Sequence, residues 1–313
     1  MSKEILTICK NLSSISPTFA DNENFAAEFI RSYLDAKRAH YYVQRFDTRV
    51  PKTQSVKLYV NGRQFNCLGA TLKTGEIKSN EYVISSLGYY PRNAPFVISF
   101  NPLSESISVA EFYEVPAVAV SRKDIADIIL AREVRGFVKV EPINFRSKNI
   151  LVGNRKNLKI IASAHYDSII SDGALDNAGS VSVLLYLVTE FPELLNNMLI
   201  VFSGNEEVSY DAFDKSGYGF RVFESKYKHL LHRSSRIVVV DGVGATPPKI
   251  FRENLDWVLQ LKTLDEIKEK VYWISSEQII ALQYFHSDLD TVEIIEEEYL
   301  ENAIALIKSL IEF

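Results

Sequence analysis

Continuous apolar stretches alternate with helical periodicity along the second half of the chain. Strands are predicted at Leu158–Ala164, Met198–Phe202 and Ile237–Val240, where apolar residues dominate. The segments Ser180–Glu190 and Arg221–Leu231 place apolar side chains on one face at helical spacing, which predicts two helices. Apolar strands that alternate with helices are typical of a sheet covered on both faces. The pattern therefore predicts an α/β fold with a mostly parallel central sheet flanked by helices.

The first half of the chain has two different patterns. Residues 1–35 repeat apolar positions at helical spacing, which predicts N-terminal helices. Residues 54–146 instead contain short alternating runs, and Asn61-Gly62 between two of them is a strong hairpin signal. The change of pattern predicts a small β-rich domain inserted into a larger one. The expected boundaries are 54–146 for the inserted domain and 1–53 with 147–313 for the main domain.

Composition and charge narrow the class of protein. The 313 residues are 47% hydrophobic and 24% charged, which is ordinary for a globular chain and excludes extensive disorder. A net charge of −5 gives no electrostatic support for binding nucleic acid or a membrane surface. We expect no signal peptide and no membrane span, and Cys9 and Cys67 are too few for a disulfide framework. These features together predict a cytoplasmic protein.

Ionisable side chains follow four strand-like segments, the fourth being Ile279–Phe285. In chain order they are His165 with Asp167, Glu206 with Glu207, Asp241, and His286. In open α/β sheets, ligands bind beyond the carboxyl ends of the strands. We therefore expect these side chains to gather at one edge of the sheet and to form a functional site there.

Each of the two pairs, His165 with Asp167 and Glu206 with Glu207, has more than one interpretation. His165 and Asp167 lie two residues apart, so they point the same way on an extended chain. Asp167 then orients the imidazole while the other ring nitrogen binds a metal, or it is a capping residue beside a loop histidine. Glu206 and Glu207 point in divergent directions, so one would ligate a metal and the other would act as a general base. The alternative for this second pair is a solvated acidic turn.

Two further acidic segments precede predicted helices. Asp176 lies in a glycine-flanked loop, where it either bridges two cations or caps the helix that follows. Asp290 and Glu293 fit a capping box that opens a last helix, predicted at Ile294–Ile311. That pattern gives Asp290 a structural role and leaves His286 available for another one.

The set of side chains has the chemistry of a two-metal centre. Two histidines and three carboxylates, with one further glutamate, suffice for two Zn²⁺ ions. Two such ions can share a water, lower its pKa and polarise a carbonyl group. Imidazole and carboxylate ligands would also accept Mn²⁺ or Co²⁺.

Five motifs resemble those of the co-catalytic di-zinc aminopeptidase family, which includes aminopeptidase Y and glutamate carboxypeptidase relatives. The motifs are His165-Tyr-Asp167-Ser, Gly173-Ala-Leu-Asp176-Asn-Ala, Glu206-Glu207, Asp241-Gly-Val-Gly and Phe285-His286-Ser-Asp-Leu-Asp290-Thr. They match the family in residue type and in order, over about 147–313 together with the N-terminal helices. The resemblance implies a zinc-exopeptidase fold that holds two Zn²⁺ ions.

The resemblance also implies a role for each metal ligand. Asp176 would bridge the two ions. His165 and Asp241 would complete one site, and Glu207 and His286 would complete the other. The implied ligand set thus takes one residue from each of the five motifs that carry the resemblance.

The implied reaction is hydrolysis of N-terminal peptide bonds by a zinc-activated water, with peptides as substrates. Glu206 would be the general base, and Asp167 would orient the ligand histidine. Family members also have a cis peptide bond after the bridging aspartate, which is Asp176–Asn177 here. The alternatives are another zinc amide hydrolase, such as a carboxypeptidase, a deacylase or a cyclase that uses one metal, and a non-catalytic binding scaffold.

Two features concern substrate access. Phe112–Ser121 is similar to the protease-associated domain of some family members, which fits the predicted insertion at 54–146. Only 44 residues lie between Asp241 and His286, where members often carry a longer stretch that helps to form the specificity pocket. The side-chain preference of the family is therefore not carried over to this chain.

Overall fold

The computed structural model describes residues 4–89 and 91–311, so the first three residues of the predicted N-terminal helical segment lie outside it. The strands are β1 (Tyr41–Val60), β2 (Arg63–Phe65), β3 (Leu68–Gly69), β4 (Gly75–Glu76), β5 (Val83–Ser85), β6 (Val97–Phe100), β7 (Ala117–Val120), β8 (Val134–Gly153), β9 (Ile160–His165), β10 (Met198–Ser203), β11 (Arg236–Val240), β12 (Lys249–Phe251) and β13 (Val271–Ser275). The helices are α1 (Glu4–Ser13), α2 (Asp21–Ala36), α3 (Ile125–Ile129), α4 (Gly179–Glu190), α5 (Tyr218–Arg233), α6 (Leu264–Ile267), α7 (Gln278–Tyr284) and α8 (Glu297–Ile311).

Contacts between residues divide the chain into two compact units. The first unit consists of 1–48, 145–281 and 290–313, and the second consists of 49–144 and 282–289. The long strands β1 and β8 each begin in one unit and end in the other. The interpretation of 54–146 as an inserted, protease-associated-like domain stays a prediction.

The first unit is built on a mixed sheet with the strand order β12-β13-β11-β9-β10-β8. The four central strands are parallel, and β12 and β8 pair antiparallel at the two sides. All residues of β9 and β10 are buried, as expected for strands that are covered on both faces. The predicted α/β architecture is confirmed.

Helices cover both faces of this sheet. On one face, α4 packs on β9 and also contacts α1 and α8. On the other face, Phe220 and Phe223 of α5 join Ile161 and Val239 in one buried cluster. Burial of each such side chain stabilises the fold by roughly 1.5–3 kcal/mol. The strands that end at the predicted site therefore lie in a core that is packed on both faces.

Most predicted elements of the first unit are found within a few residues of their expected bounds. The segment Ile279–Phe285 is different, because residues 278–284 form helix α7 rather than a strand. A short apolar run does not by itself distinguish a strand from a helix. None of the helices within residues 4–89 and 91–311 has the length and apolar character needed to cross a membrane.

The second unit contains a four-stranded sheet in the order β3-β7-β6-β5. Its hairpin between β1 and β2 places Leu58 opposite Phe65, so the predicted turn at Asn61-Gly62 is confirmed. Both turn residues have positive φ, 48° and 82°, which a tight two-residue hairpin loop requires. Residues 282–289, which include His286, also belong to this unit.

Candidate metal centre

Strand β9 places His165 at the carboxyl edge of the sheet. His165 is the last residue of the strand and pairs with Ser203 of β10. Its Nε2 lies 3.0 Å from Asp176 Oδ1 and 3.6 Å from Asp241 Oδ2. Burial acts to lower the pKa of His165, but hydrogen bonds to the neighbouring aspartates outweigh it and raise the pKa well above its usual range. These surroundings favour a positive charge, which a protonated imidazole or a bound cation supplies.

Asp167 joins this histidine to the loop that follows β10. Its Oδ1 and Oδ2 accept hydrogen bonds from the backbone N–H groups of Glu206 and Glu207, both at 3.0 Å. Its Oδ1 also lies 3.6 Å from His165 Nδ1, and its backbone oxygen lies 3.1 Å from the same nitrogen. The geometry fits the predicted orienting role of Asp167 and adds a second task, which is to hold the backbone of both glutamates.

Asp176 lies in a tight turn ahead of α4, and Asp290 holds that turn. The two carboxylate oxygens of Asp290 accept the N–H groups of Leu175 and Asp176 at 2.7 and 3.1 Å. The predicted capping box at Asp290 is wrong, because helix α8 begins only at Glu297. The spacing of Asp290 and Glu293 thus predicted a local helix cap, whereas Asp290 instead contacts the backbone at the predicted ligand Asp176.

Asn177 connects the same turn to the end of β11. The peptide bond Asp176–Asn177 is cis, as the resemblance implied. The Asn177 amide donates to the Val240 oxygen at 3.3 Å, and its Oδ1 accepts from the Gly242 N–H at 3.3 Å. These two bonds flank Asp241, so the turn and Asp241 are held together.

Glu206 and Glu207 are buried, at 6% and 8% exposed, which excludes a solvated acidic turn. Burial raises the pKa of Glu206 well above its usual range, the charge of His165 opposes this, and Glu207 raises the pKa further. The backbone of Glu206 is held on both sides, since its N–H donates to Asp167 and its oxygen accepts from the Gly217 N–H at 2.5 Å. Glu206 is therefore a buried carboxylate in a fixed position.

A divalent cation fits the donor atoms that meet here. Within the described residues, one ligand atom from each of His165, Asp176 and Glu207 lies within 4.8 Å of the other two. One imidazole nitrogen with carboxylate oxygens is a ligand set typical of zinc. Buried carboxylates that lie this close together need a compensating positive charge. The residues present therefore fit the metal that the sequence predicts.

His286 is the one predicted ligand that lies in the second unit. Its Nδ1 is 2.9 Å from the Val109 oxygen, and its backbone oxygen accepts the Val109 N–H at 2.9 Å. The ring stacks on Phe285 with centroids 3.7 Å apart. A backbone carbonyl that accepts from one ring nitrogen fixes the tautomer and the orientation of the ring. The assignment of His286 to the metal centre stays a prediction.

Glu23 lies close to the centre and was not predicted from the sequence. It is 2% exposed, and its Oε2 accepts the N–H of Asn205 at 3.1 Å. A signal for it exists in the sequence, because one carboxylate interrupts the otherwise apolar buried stripe of α2. That stripe consists of Glu23, Ala26, Ala27, Ile30 and Leu34.

The fold of the chain is similar to that of solved aminopeptidases. A zinc aminopeptidase from Bacillus subtilis is similar with a TM-score of 0.71 at 17% identity, over 99% of this chain and 94% of that chain. An aminopeptidase from Aneurinibacillus sp. strain AM-1 is similar with a TM-score of 0.66 at 16% identity, over 99% of this chain and 92% of that chain. A glutaminyl cyclase from an Acidobacteriales bacterium is similar with a TM-score of 0.54 at 13% identity, over 99% of this chain and 93% of that chain. At these identities the likeness establishes the fold.

A family model then matches part of the chain. Residues 149–299 match the family model described as Peptidase family M28, and this stretch includes every predicted ligand. Residues 149–299, just under half of the chain, therefore match an M28 peptidase domain. Comparison with curated protein sequences gives no match. The predicted family resemblance is confirmed, and the likeness of the second unit to a protease-associated domain stays a prediction.

Zinc binding should raise the thermal stability of the chain. A ligand that binds only the folded state at about 100 times its Kd stabilises that state by about 2.7 kcal/mol. For a chain of this size this corresponds to an increase of several degrees in Tm. Differential scanning calorimetry of the chelator-treated protein, with and without added zinc, measures the shift. Mg²⁺ at the same concentration is the control, and an equal shift with Mg²⁺ or none with zinc would contradict a nitrogen- and carboxylate-lined zinc site.

Proposed function

We propose that the chain is a di-zinc aminopeptidase that removes residues from the N-terminus of peptides. The observation that carries the proposal is the buried cluster of His165, Asp176 and Glu207, with the anchored carboxylate of Glu206 beside it. A buried base next to a metal-binding cluster is an arrangement suited to metal-assisted amide hydrolysis. The M28 domain and the fold of the aminopeptidases support the same reading.

Each predicted ligand has an assigned place in this proposal. His165 and Asp241 would hold one zinc ion, Asp176 would be shared, and Glu207 would hold the other. The resemblance assigns His286 to the same ion as Glu207. Bound zinc supplies a Lewis acid that polarises the substrate carbonyl and makes water more acidic.

Glu206 performs the proton transfers. Its carboxylate takes a proton from the attacking water and later delivers it to the nitrogen of the leaving amine, so that it ends the cycle unchanged. Its burial keeps bulk water away from the proton it carries. Its position is set through the backbone by hydrogen bonds to Asp167 and Gly217.

The substrate class is tested with a panel of short peptides in three forms, namely with a free N-terminus, with an acetylated N-terminus and with an N-terminal glutamine. We expect zinc-dependent release of single residues only from peptides with a free amino group. Mass spectrometry of the products distinguishes this from removal of the C-terminal residue, from deacetylation and from loss of ammonia without chain cleavage.

Loss of ammonia from the glutaminyl peptide matters because glutaminyl cyclases share this fold. Loss of ammonia from the glutaminyl peptide alone would replace the aminopeptidase proposal with a cyclase. Cleavage of acetylated peptides only would contradict both. A zinc-loaded protein that is inactive on every peptide would favour a binding scaffold.

A further inference from the structure

Three consecutive backbone N–H groups in the loop after β10 donate to two buried carboxylates. Asp167 accepts those of Glu206 and Glu207, and Glu23 accepts that of Asn205 at 3.1 Å. Glu23 comes from helix α2, far from this loop in the sequence. The N-terminal part of the chain therefore contacts the backbone that immediately precedes the proposed base.

The surroundings of Glu23 are built to receive its carboxyl group. The hydroxyl of Ser147 donates to Oε1, and the hydroxyl of Tyr166 lies 3.4 Å from the same oxygen. A side chain at position 204 would collide with Oε1, so Gly204 provides the space that the carboxyl group occupies. Glu23 thus has partners for both oxygens in a place that excludes water.

Asn205, which Glu23 holds, has an unusual backbone conformation. Its φ is 51°, in the left-handed region that non-glycine residues adopt rarely and only where their surroundings hold them. Its side chain accepts from Thr48 Oγ1 at 2.7 Å and donates to the Val208 oxygen at 2.9 Å. Of these three bonds, the one from its N–H to Glu23 fixes the peptide plane between residues 204 and 205.

We propose that Glu23 is a positioning residue for the peptidase reaction, acting through Asn205 to fix the loop that carries Glu206 and Glu207. The inference rests on the proposed function, since it concerns the same base and ligand. Glu23 has no contact with the reacting atoms in this role. Its effect on the reaction and on zinc passes through the backbone of the loop.

The environment indicates which replacement should conserve the role. Burial raises the pKa of Glu23 well above its usual range, and the charge of Asp167 raises it further, although the Ser147 hydrogen bond acts in the opposite direction. A neutral group therefore suits this place. Glutamine keeps an oxygen for the Asn205 N–H and offers an N–H₂ group to Ser147, whereas leucine removes the partner of both; the Tyr166 hydroxyl keeps its hydrogen bond to the Lys148 oxygen at 2.7 Å in either case.

The experiment compares Glu23→Leu with Glu23→Gln in the full-length chain. Two quantities are measured for the folded fraction: zinc affinity, by competition with a chromophoric chelator, and kcat on the best peptide at saturating zinc. Loss of an outer partner of a metal site typically costs about 10–100-fold in affinity or activity. We expect losses of that size for Glu23→Leu and values within a few-fold of the unmodified chain for Glu23→Gln. Ser147→Ala, a milder change, should give a smaller loss.

Glu224 is a matched control for the loss of a buried glutamate. It is 5% exposed on α5, and it accepts the N–H groups of Lys262 and Thr263 at 3.1 and 2.8 Å, in a loop without predicted site residues. Glu224→Leu should lower stability without changing zinc affinity or kcat of the folded fraction. Equal losses in Glu224→Leu and Glu23→Leu, unchanged values in Glu23→Leu, or no rescue by glutamine would overturn the inference. An unmodified chain that binds no zinc or cleaves no peptide would instead overturn the proposed function itself.

Discussion

Replacing Glu206 by glutamine should lower kcat by about 10²–10⁴-fold, the usual contribution of a general base. Zinc content should stay the same, because Glu206 is outside the implied ligand set. The fold around it should also persist, since the backbone N–H and oxygen of residue 206 make its contacts with Asp167 and Gly217. Glutamine has the shape of glutamate but accepts no proton from an attacking water.

Glu207 provides the contrast that makes this prediction specific. Glu207→Gln is expected to weaken zinc binding, so that part of its activity returns at high zinc concentration. Glu206→Gln should gain nothing from added zinc. Metal analysis together with kcat measured over a range of zinc concentrations separates the two variants. Near-normal hydrolysis by Glu206→Gln would refute its role as base, and loss of zinc from that variant would make it a ligand instead.

The parts of the site that the sequence predicted are those governed by local rules. Apolar strands are recognisable from composition, and the residue that follows a parallel strand lies at the carboxyl edge of the sheet. His165 and Asp241 are such residues, and their side chains are 3.6 Å apart although 76 positions separate them in the chain. The α/β pattern predicted a mostly parallel sheet, but the pairing of β9 with β11 that brings these two side chains together is given by the structure.

The parts that were missed depend on partners distant in the sequence. Asp290 has the spacing of a helix cap, yet its carboxylate accepts the N–H of Leu175, which lies 115 residues earlier in the chain. In the sequence, Glu23 is one polar residue of an amphipathic helix, and only the packing of α2 brings its carboxylate to the N–H of Asn205. Helix α7 was mistaken for a strand because seven residues are too few for its periodicity to show. Local patterns thus predict the metal-binding edge, but not the carboxylates that hold its loops in place.

Replacing Asp176 by alanine should abolish tight zinc binding and, with it, peptide hydrolysis. Its carboxylate lies 3.0 Å from His165 Nε2 and shares the donor cluster with Glu207, so its removal takes a ligand from the centre of the site. The fall in zinc affinity should exceed the roughly 10–100-fold that loss of an outer partner costs. The zinc-induced rise in Tm should disappear together with the activity, and calorimetry with metal analysis measures both.

The turn itself should survive this substitution, because Asp290 holds the N–H groups of residues 175 and 176 whatever side chain position 176 carries. Asp172→Ala is the matched control, since it removes an aspartate from the same loop outside the predicted ligand set. That variant should retain zinc, activity and the zinc-dependent Tm. If Asp176→Ala bound zinc as tightly as the control, the ion would have to be held elsewhere, and the shared-ligand arrangement would be wrong. If both variants lost zinc equally, the loop would be acting through its fold rather than through the carboxylate of Asp176.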